Sequence, residues 1–404
     1  MRAILYLILA YTVFSFPLYA QSLDVLITNG RVIDGTGNSW YYGDVGIKDG
    51  KIIAIGSLTQ VSAKRIIDAK GLVVAPGFID VHAHIESAGV ATPTANNFIY
   101  DGVTSVVTGN CGSSNLDIGR YFSQMDSLKT SINIASLIGH NTVRRAVMGE
   151  VQRDPTPTEL AQMEALVEKA MQKGAVGIST GLIYVPGTYS KTPEVLALSK
   201  AAARHGGVYA SHIRNEDDNV DKAVKEAISI GREARMPVEI SHFKVTYKPN
   251  WGRSVETIEL VEEARREGLD VTIDQYPYIA GSTTLDITVP SWAFSGGRDS
   301  LNARLSNVTM RLNIKKEMVA SLKKKKLKNY DYAFVARYAP DSTFDGKTIS
   351  QINVLKGRKA KPMEEAETIL EMVEAVNRTQ MVYFSMDEKD LVRIMGTGYI
   401  IYDS

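Results

Sequence analysis

The chain has 404 residues, 44% of them apolar and 23% charged, with 46 basic and 45 acidic side chains and a net charge of +1. That length can bury a large core and exceeds one ordinary domain, and the composition is globular with no low-complexity tract. The charge balance offers no footing for nucleic acid or an anionic membrane surface as partner.

Residues 1–20 read as a secretory signal. Arg2 precedes the apolar run "AILYLILAYTVFSF", and "LYA" ends at Ala20 as a small-residue cleavage site. The run is short for a membrane span of ~20 residues, so export to the periplasm or the exterior is the expectation. Residues 21–74 follow as short alternating strands with Gly turns, "DVLITNGRVIDGTG", "YYGDVGIKDGKIIAIG" and "RIIDAKGLVVAPG". They predict part of a small antiparallel β-domain.

From residue 75 the rhythm changes to apolar runs alternating with helical stretches. The runs are "FIDVHAH", "TSVVTGNC", "INIASLIGH", "VGISTGL", "GVYASHI", "VEISHFK", "DVTIDQYPY" and "YIIYDS". Eight strands with helical crossovers predict an α/β fold of the (β/α)8 TIM-barrel type, with seven strands inside 75–286. The gap before the eighth is too long for a simple crossover. It predicts an inserted subdomain over 287–360 and a return over 361–404, through "KPMEEAETILEMVEAVNR" and "DEKDLVRIM". Within the insertion, Lys323–Lys326 ("KKKK") reads as the solvated face of a helix, with a phosphate-binding patch as the lesser alternative.

Five of the six His and the single Cys end predicted strands. His82 and His84 form H-x-H on the first, where alternation would place both imidazoles on one face. Cys111 ends the second, His212 the fifth and His242 the sixth. Neutral imidazoles and a thiolate at the C-terminal mouth of a barrel are good Zn²⁺ donors. The alternative for each is a locally satisfied residue, and for Cys111 a buried small side chain or an intermolecular link. His140 ends the third strand and reads as a neighbour of the site, and His205 as a helix-end residue.

The ordered set "IIDAKGLVVAPGFIDVHAH", "GVTSVVTGNCG", "LIGHNTVRRAVMG", "GAVGISTGLIYVPG", "YASHIRNE", "ISHFKVTYKPNWGRS" and "DQYPYIAGSTTL" closely resembles the N-acyl-D-amino-acid deacylase (D-aminoacylase) family of the amidohydrolase superfamily. The resemblance implies an amidohydrolase barrel and zinc-dependent hydrolysis of the amide in small N-acyl-D-amino acids. A dipeptidase for D-residue peptides, a cyclic-amide hydrolase and a non-catalytic metal-binding fragment are its alternatives.

By matched position, the implied metal ligands are His82, His84, Cys111, His212 and His242, with Cys111 bridging a tight site and a weaker one that includes the H-x-H pair. The implied substrate contacts are Tyr184, Lys244, Tyr276 and Ser282. The implied base is an Asp in a Ser-Asp-Gly-like motif. Ser404 matches the motif's Ser, so the Asp is expected immediately after Ser404, and the chain as given is expected to be a truncated and inactive form, exposing apolar surface and poorly soluble.

Overall fold

The computed structural model describes residues 22–376 and 378–402. The expected signal over 1–20, and the expectation attached to Ser404, lie outside the described residues. The chain divides into two compact units, up to Gly77 and from Phe78 onward.

The first unit is a five-stranded sheet built on Leu23–Val32. Tyr41–Lys48 pairs antiparallel with it, and Lys51–Gly56 pairs antiparallel with Tyr41–Lys48. The expectation of a purely antiparallel sheet is corrected by Ala63–Asp68 and Val73–Val74, which both run parallel to Leu23–Val32. The 57–62 connection carries the chain to the other edge of the sheet, so the next strand re-enters in the direction of the first.

In the second unit all eight predicted runs contain strands. The first is Phe78–Asp80, the second Val103–Thr108, and the third Asn133–Ser136, continued as Ile138–Gly139. The fourth is Gly177–Gly181, the fifth Val208–His212, the sixth Val238–Ile240, the seventh Val271–Gln275 and the eighth Ile400–Tyr402. Each pairs in parallel with its neighbour in chain order. Outward residues such as Ile178, Tyr209, Ile240 and Ile273 pack on helices through Val167, Leu198, Val224 and Val261, forming the main core. Parallel strands covered by helices read as near-continuous apolar runs, which is why they were countable.

The insertion is wider than 287–360. Ala280–Thr284, Gln380–Phe384 and Ala333–Arg337 form an antiparallel sheet, and a second core gathers Leu301, Ile314, Met318, Ile349, Ile369 and Met372. Helix Pro362–Ala375, expected to lead back to the barrel, belongs to this second core, while Glu388–Met395 makes the return. The Lys run is not wholly solvated either. Lys324 Nζ lies 2.7 Å from Asp218, and Lys325 Nζ lies 3.1 Å from Tyr247 Oη and over its ring. The helix Val308–Lys324 thus ends against the loops that follow the fifth and sixth strands.

Candidate metal centre

Cys111 stands at the centre of the C-terminal strand ends. Its Sγ lies 3.4 Å from His82 Nε2, 3.7 Å from His212 Nδ1 and 3.6 Å from His242 Nε2. His82, His84 and Cys111 form one group of close donor atoms, and Cys111, His212 and His242 a second.

The backbone that delivers them is partly irregular. Only His212 sits within its strand, opposite Gly181 of the fourth. The first strand stops at Asp80, so His82 and His84 are carried by the loop beyond it and not by strand alternation. Their rings still meet, with centroids 5.4 Å apart. His242 lies past the end of the sixth strand at φ 38°, and Cys111 has φ 52°, both in a region that non-glycine residues seldom occupy.

Small residues and hydrogen bonds hold the Cys111 turn. A Cβ on Gly112, at φ 75°, would fall 2.3 Å from Asn141 Oδ1, and one on Gly181 would fall 2.1 Å from the Cys111 carbonyl. Gly112 N–H donates to Ser179 Oγ and Thr142 N–H to the Gly112 carbonyl. Asn141 Nδ2 donates to the carbonyls of Gly181 and Tyr184, tying the turn to the loop that carries Tyr184.

Carboxylates stand behind the imidazoles. Asp274, at the end of the seventh strand, lies 3.2 Å from His82 Nδ1 and accepts from the His242 backbone N–H. Glu216 Oε1 lies 3.1 Å from His242 Nδ1, 2.7 Å from Lys244 Nζ and 3.7 Å from His212 Nε2. Thr246 clamps Glu216 from the sixth-strand loop, its N–H and hydroxyl both donating to the Glu216 carbonyl.

These charges set the protonation pattern. Burial raises the Cys111 thiol, but the His82 charge and hydrogen bonds from His212 and His242 outweigh it and hold the thiol well below its ordinary range. Burial lowers His82, yet Asp274 and Cys111 lift the imidazole well above its usual value. Burial would raise Glu216, and Lys244 with the two imidazoles overrides it to keep the carboxylate ionised. Glu239, inward on the sixth strand, is pushed up to about 9 by burial and by Asp274.

The predicted substrate contacts separate. Tyr184 stacks edge-on against His212 at 4.8 Å and receives a hydrogen bond from Thr283 on its hydroxyl. Lys244 is buried against Glu216, with Nζ 5.7 Å from the centroid of Tyr276. Ser282 is not brought to this group. It is exposed on the strand Ala280–Thr284, where Thr283 bonds Tyr184 and a Cβ on Gly281 would approach Tyr276 and Lys244. Alternation therefore turns the Ser282 side chain to the opposite face.

His140 directly follows the third strand and starts the next helix. Its Nε2 lies 2.8 Å from Glu194 Oε1, and Arg144 pairs with the other oxygen of the same carboxylate. All three side chains are buried, so this trio anchors the helix His140–Met148 that begins under the Cys111 turn. Glu194→Ala is expected to cost ~3–5 kcal/mol by leaving Arg144 buried without a counter-charge, read as a lowered denaturation midpoint. Burial would raise the Glu194 carboxyl, but His140 and Arg144 hold it below its usual value. Its stabilisation is therefore full above the ordinary carboxyl range of ~4.3 and is lost as pH falls through the depressed folded-state value. His205 lies exposed just beyond helix Thr192–Ala203.

Sequence reasoning missed Glu216, Asp274 and Asn141. Glu216 lies four residues after His212 and Asp274 is the one carboxylate inside the strand Val271–Gln275, positions that would have marked both as candidates.

A parallel α/β barrel with imidazoles and a thiol collected at its strand ends defines a metal-site enzyme fold. Residues 65–283 match the model of the amidohydrolase family (Amidohydro_3). The D-aminoacylase of Alcaligenes xylosoxydans xylosoxydans is 41% identical over 289 residues, covering 66% of this chain and 60% of that relative. A crystal structure of D-aminoacylase superposes with a TM-score of 0.78 at 32% identity, covering 94% of this chain and 75% of the other. An N-acyl-D-glutamate deacylase from Bordetella bronchiseptica, complexed with zinc and a phosphonate mimic of the tetrahedral intermediate, gives 0.78 at 31% identity, with 95% and 76% covered. The chain belongs to the amidohydrolase family. Its match spans about 60% of the length of the D-aminoacylase from Alcaligenes.

Proposed function

We propose that this chain carries the metal and substrate site of a zinc-dependent hydrolase that cleaves the amide of N-acyl-D-amino acids. The observation that carries the reading is the Cys111 thiol surrounded by three imidazole nitrogens at 3.4–3.7 Å. Zn–S of ~2.3 Å and Zn–N of ~2.0–2.1 Å at a tetrahedral angle separate sulfur from nitrogen by roughly 3.6 Å, which the observed Sγ–N spacings match. His212 Nδ1 faces the thiol, while its Nε2 is buried with no hydrogen-bond partner, only the Glu216 carboxylate 3.7 Å away.

Cys111, His212 and His242 would hold the tight ion, and His82 and His84 with the shared Cys111 a second. A bound Zn²⁺ supplies Lewis-acid polarisation of the scissile carbonyl and a water acidified to a pKa of ~7. The protein's own part is positional. Asp274 and Glu216 orient His82 and His242, Tyr184 closes one side of the cluster, and Lys244 with Tyr276 offers a cation and a phenol on the side of the substrate carboxylate.

The test is metal content followed by a substrate panel. At least one Zn²⁺ per chain is expected, with release of amino acid from N-acetyl-D-amino acids and none from their L-isomers. A protein without metal, or one that cleaves only D-dipeptides or cyclic amides, overturns the reading.

A further inference from the structure

Beside the H-x-H pair lies a cavity of about 340 Å³. His82 and His84 stand at its wall together with Ile85, Phe98, Ile132 and Ile134. Among the described residues no Asp, Glu, Lys or Arg lines it. Its size is that of about eleven waters at ~30 Å³ each, and it falls at the small end of ligand pockets, roughly 300–1,000 Å³. Thr92, Asn97 and Thr130 are its neutral polar members beside the imidazoles, and the apolar remainder of the wall suits an apolar chain oriented by a few polar groups.

We propose that this cavity is a subsite for the acyl chain of the substrate, and that the preferred acyl group is an apolar chain longer than acetyl. The inference rests on the hydrolase reading and adds the class of acyl group to it. Two halves of an N-acyl amino acid differ in charge. The amino-acid half carries a carboxylate and needs a cation, and Lys244 is the cation beside the imidazole cluster, 2.8 Å from His242 Nδ1. The cavity adjoins the other end of the cluster, at His84, and no Lys or Arg lines it. With the amide at the imidazoles and the carboxylate toward Lys244, the acyl half extends away from Lys244 and toward this cavity.

Isothermal titration of the zinc-loaded 404-residue chain with acetate, butyrate, hexanoate and octanoate tests this. Each methylene buried in an apolar site tightens binding by about fourfold, so affinity should climb along the series until the cavity is full. Ile134→Trp fills the cavity and is expected to flatten the series with zinc content unchanged. Phe98→Ala enlarges it and is expected to move the plateau to longer chains, which keeps the test informative even where the Trp variant does not fold. Equal affinity along the series overturns the subsite, as does a chain-length dependence that Ile134→Trp or Phe98→Ala leaves unaltered. Zinc content, measured first, separates the two failures: a chain that binds no zinc defeats the hydrolase reading, and a zinc-loaded chain without chain-length dependence defeats only the subsite.

Discussion

Cys111→Ala is expected to remove Zn²⁺ binding at both donor groups in one step. Each group of close donor atoms contains Cys111, one with His82 and His84 and the other with His212 and His242. Removing it leaves two imidazoles on either side, short of the three protein ligands that catalytic zinc sites ordinarily keep. The thiol also supplies the negative charge of the cluster, since the surrounding imidazoles hold it well below its usual range. His84→Ala is the contrasting variant. It deletes a donor from one group only, so the ion held by Cys111, His212 and His242 should remain. Metal content after equilibrium dialysis reads both variants. One equivalent of zinc retained by Cys111→Ala would show that the imidazoles hold the ion without the thiol, and the bridging assignment would fall.

The parts of this architecture that were legible in the sequence are those fixed by local pattern. Eight apolar runs became eight strands, and the fourth to seventh, covered by helices, are the ones whose outward side chains must be apolar. The donor residues were legible because each lies at or near the end of such a run, where a barrel's C-terminal mouth must lie. His82 and His84 reached one place by a different route from the one the spacing suggested, since a loop carries them and not strand alternation. Ser282 was illegible for the complementary reason. Its strand was not recognised, and in a strand one position decides which face a hydroxyl takes. Helix Pro362–Ala375 has an apolar face, but nothing local says which of two cores that face meets. Glu216 and Asp274 act through loops and neighbouring strands, and a carboxylate in isolation does not announce its partner.

Glu216 carries the second large expected effect. Its carboxylate stands behind two imidazoles and one ammonium at once. The contacts of His242 Nδ1 cannot all operate together. At 2.8 Å, Lys244 Nζ donates to Nδ1 only when that nitrogen is bare, whereas Glu216 at 3.1 Å receives a proton from it. With an ion on Nε2, the ring proton must sit on Nδ1, so the Glu216 contact is the one that survives and Lys244 is left to Glu216 and the His242 carbonyl. Glu216 thereby fixes the tautomer that presents a lone pair toward Cys111, and loss of such an outer-shell carboxylate ordinarily weakens metal binding by about 10–100-fold.

Glu216→Ala should show that loss in zinc affinity together with a fall in stability of ~3–5 kcal/mol, because Lys244 stays buried without its counter-charge. Adding Lys244→Met separates the two effects. Stability should recover, since no buried charge remains, and zinc affinity should stay weak, since His242 still lacks its orienting partner. If the double variant regained metal affinity along with stability, Glu216 would be a counter-ion for Lys244 and nothing more. The two measurements, a denaturation midpoint and a competitive zinc titration, are independent, so the roles of charge partner and ring orienter are decided by which of them the second substitution restores.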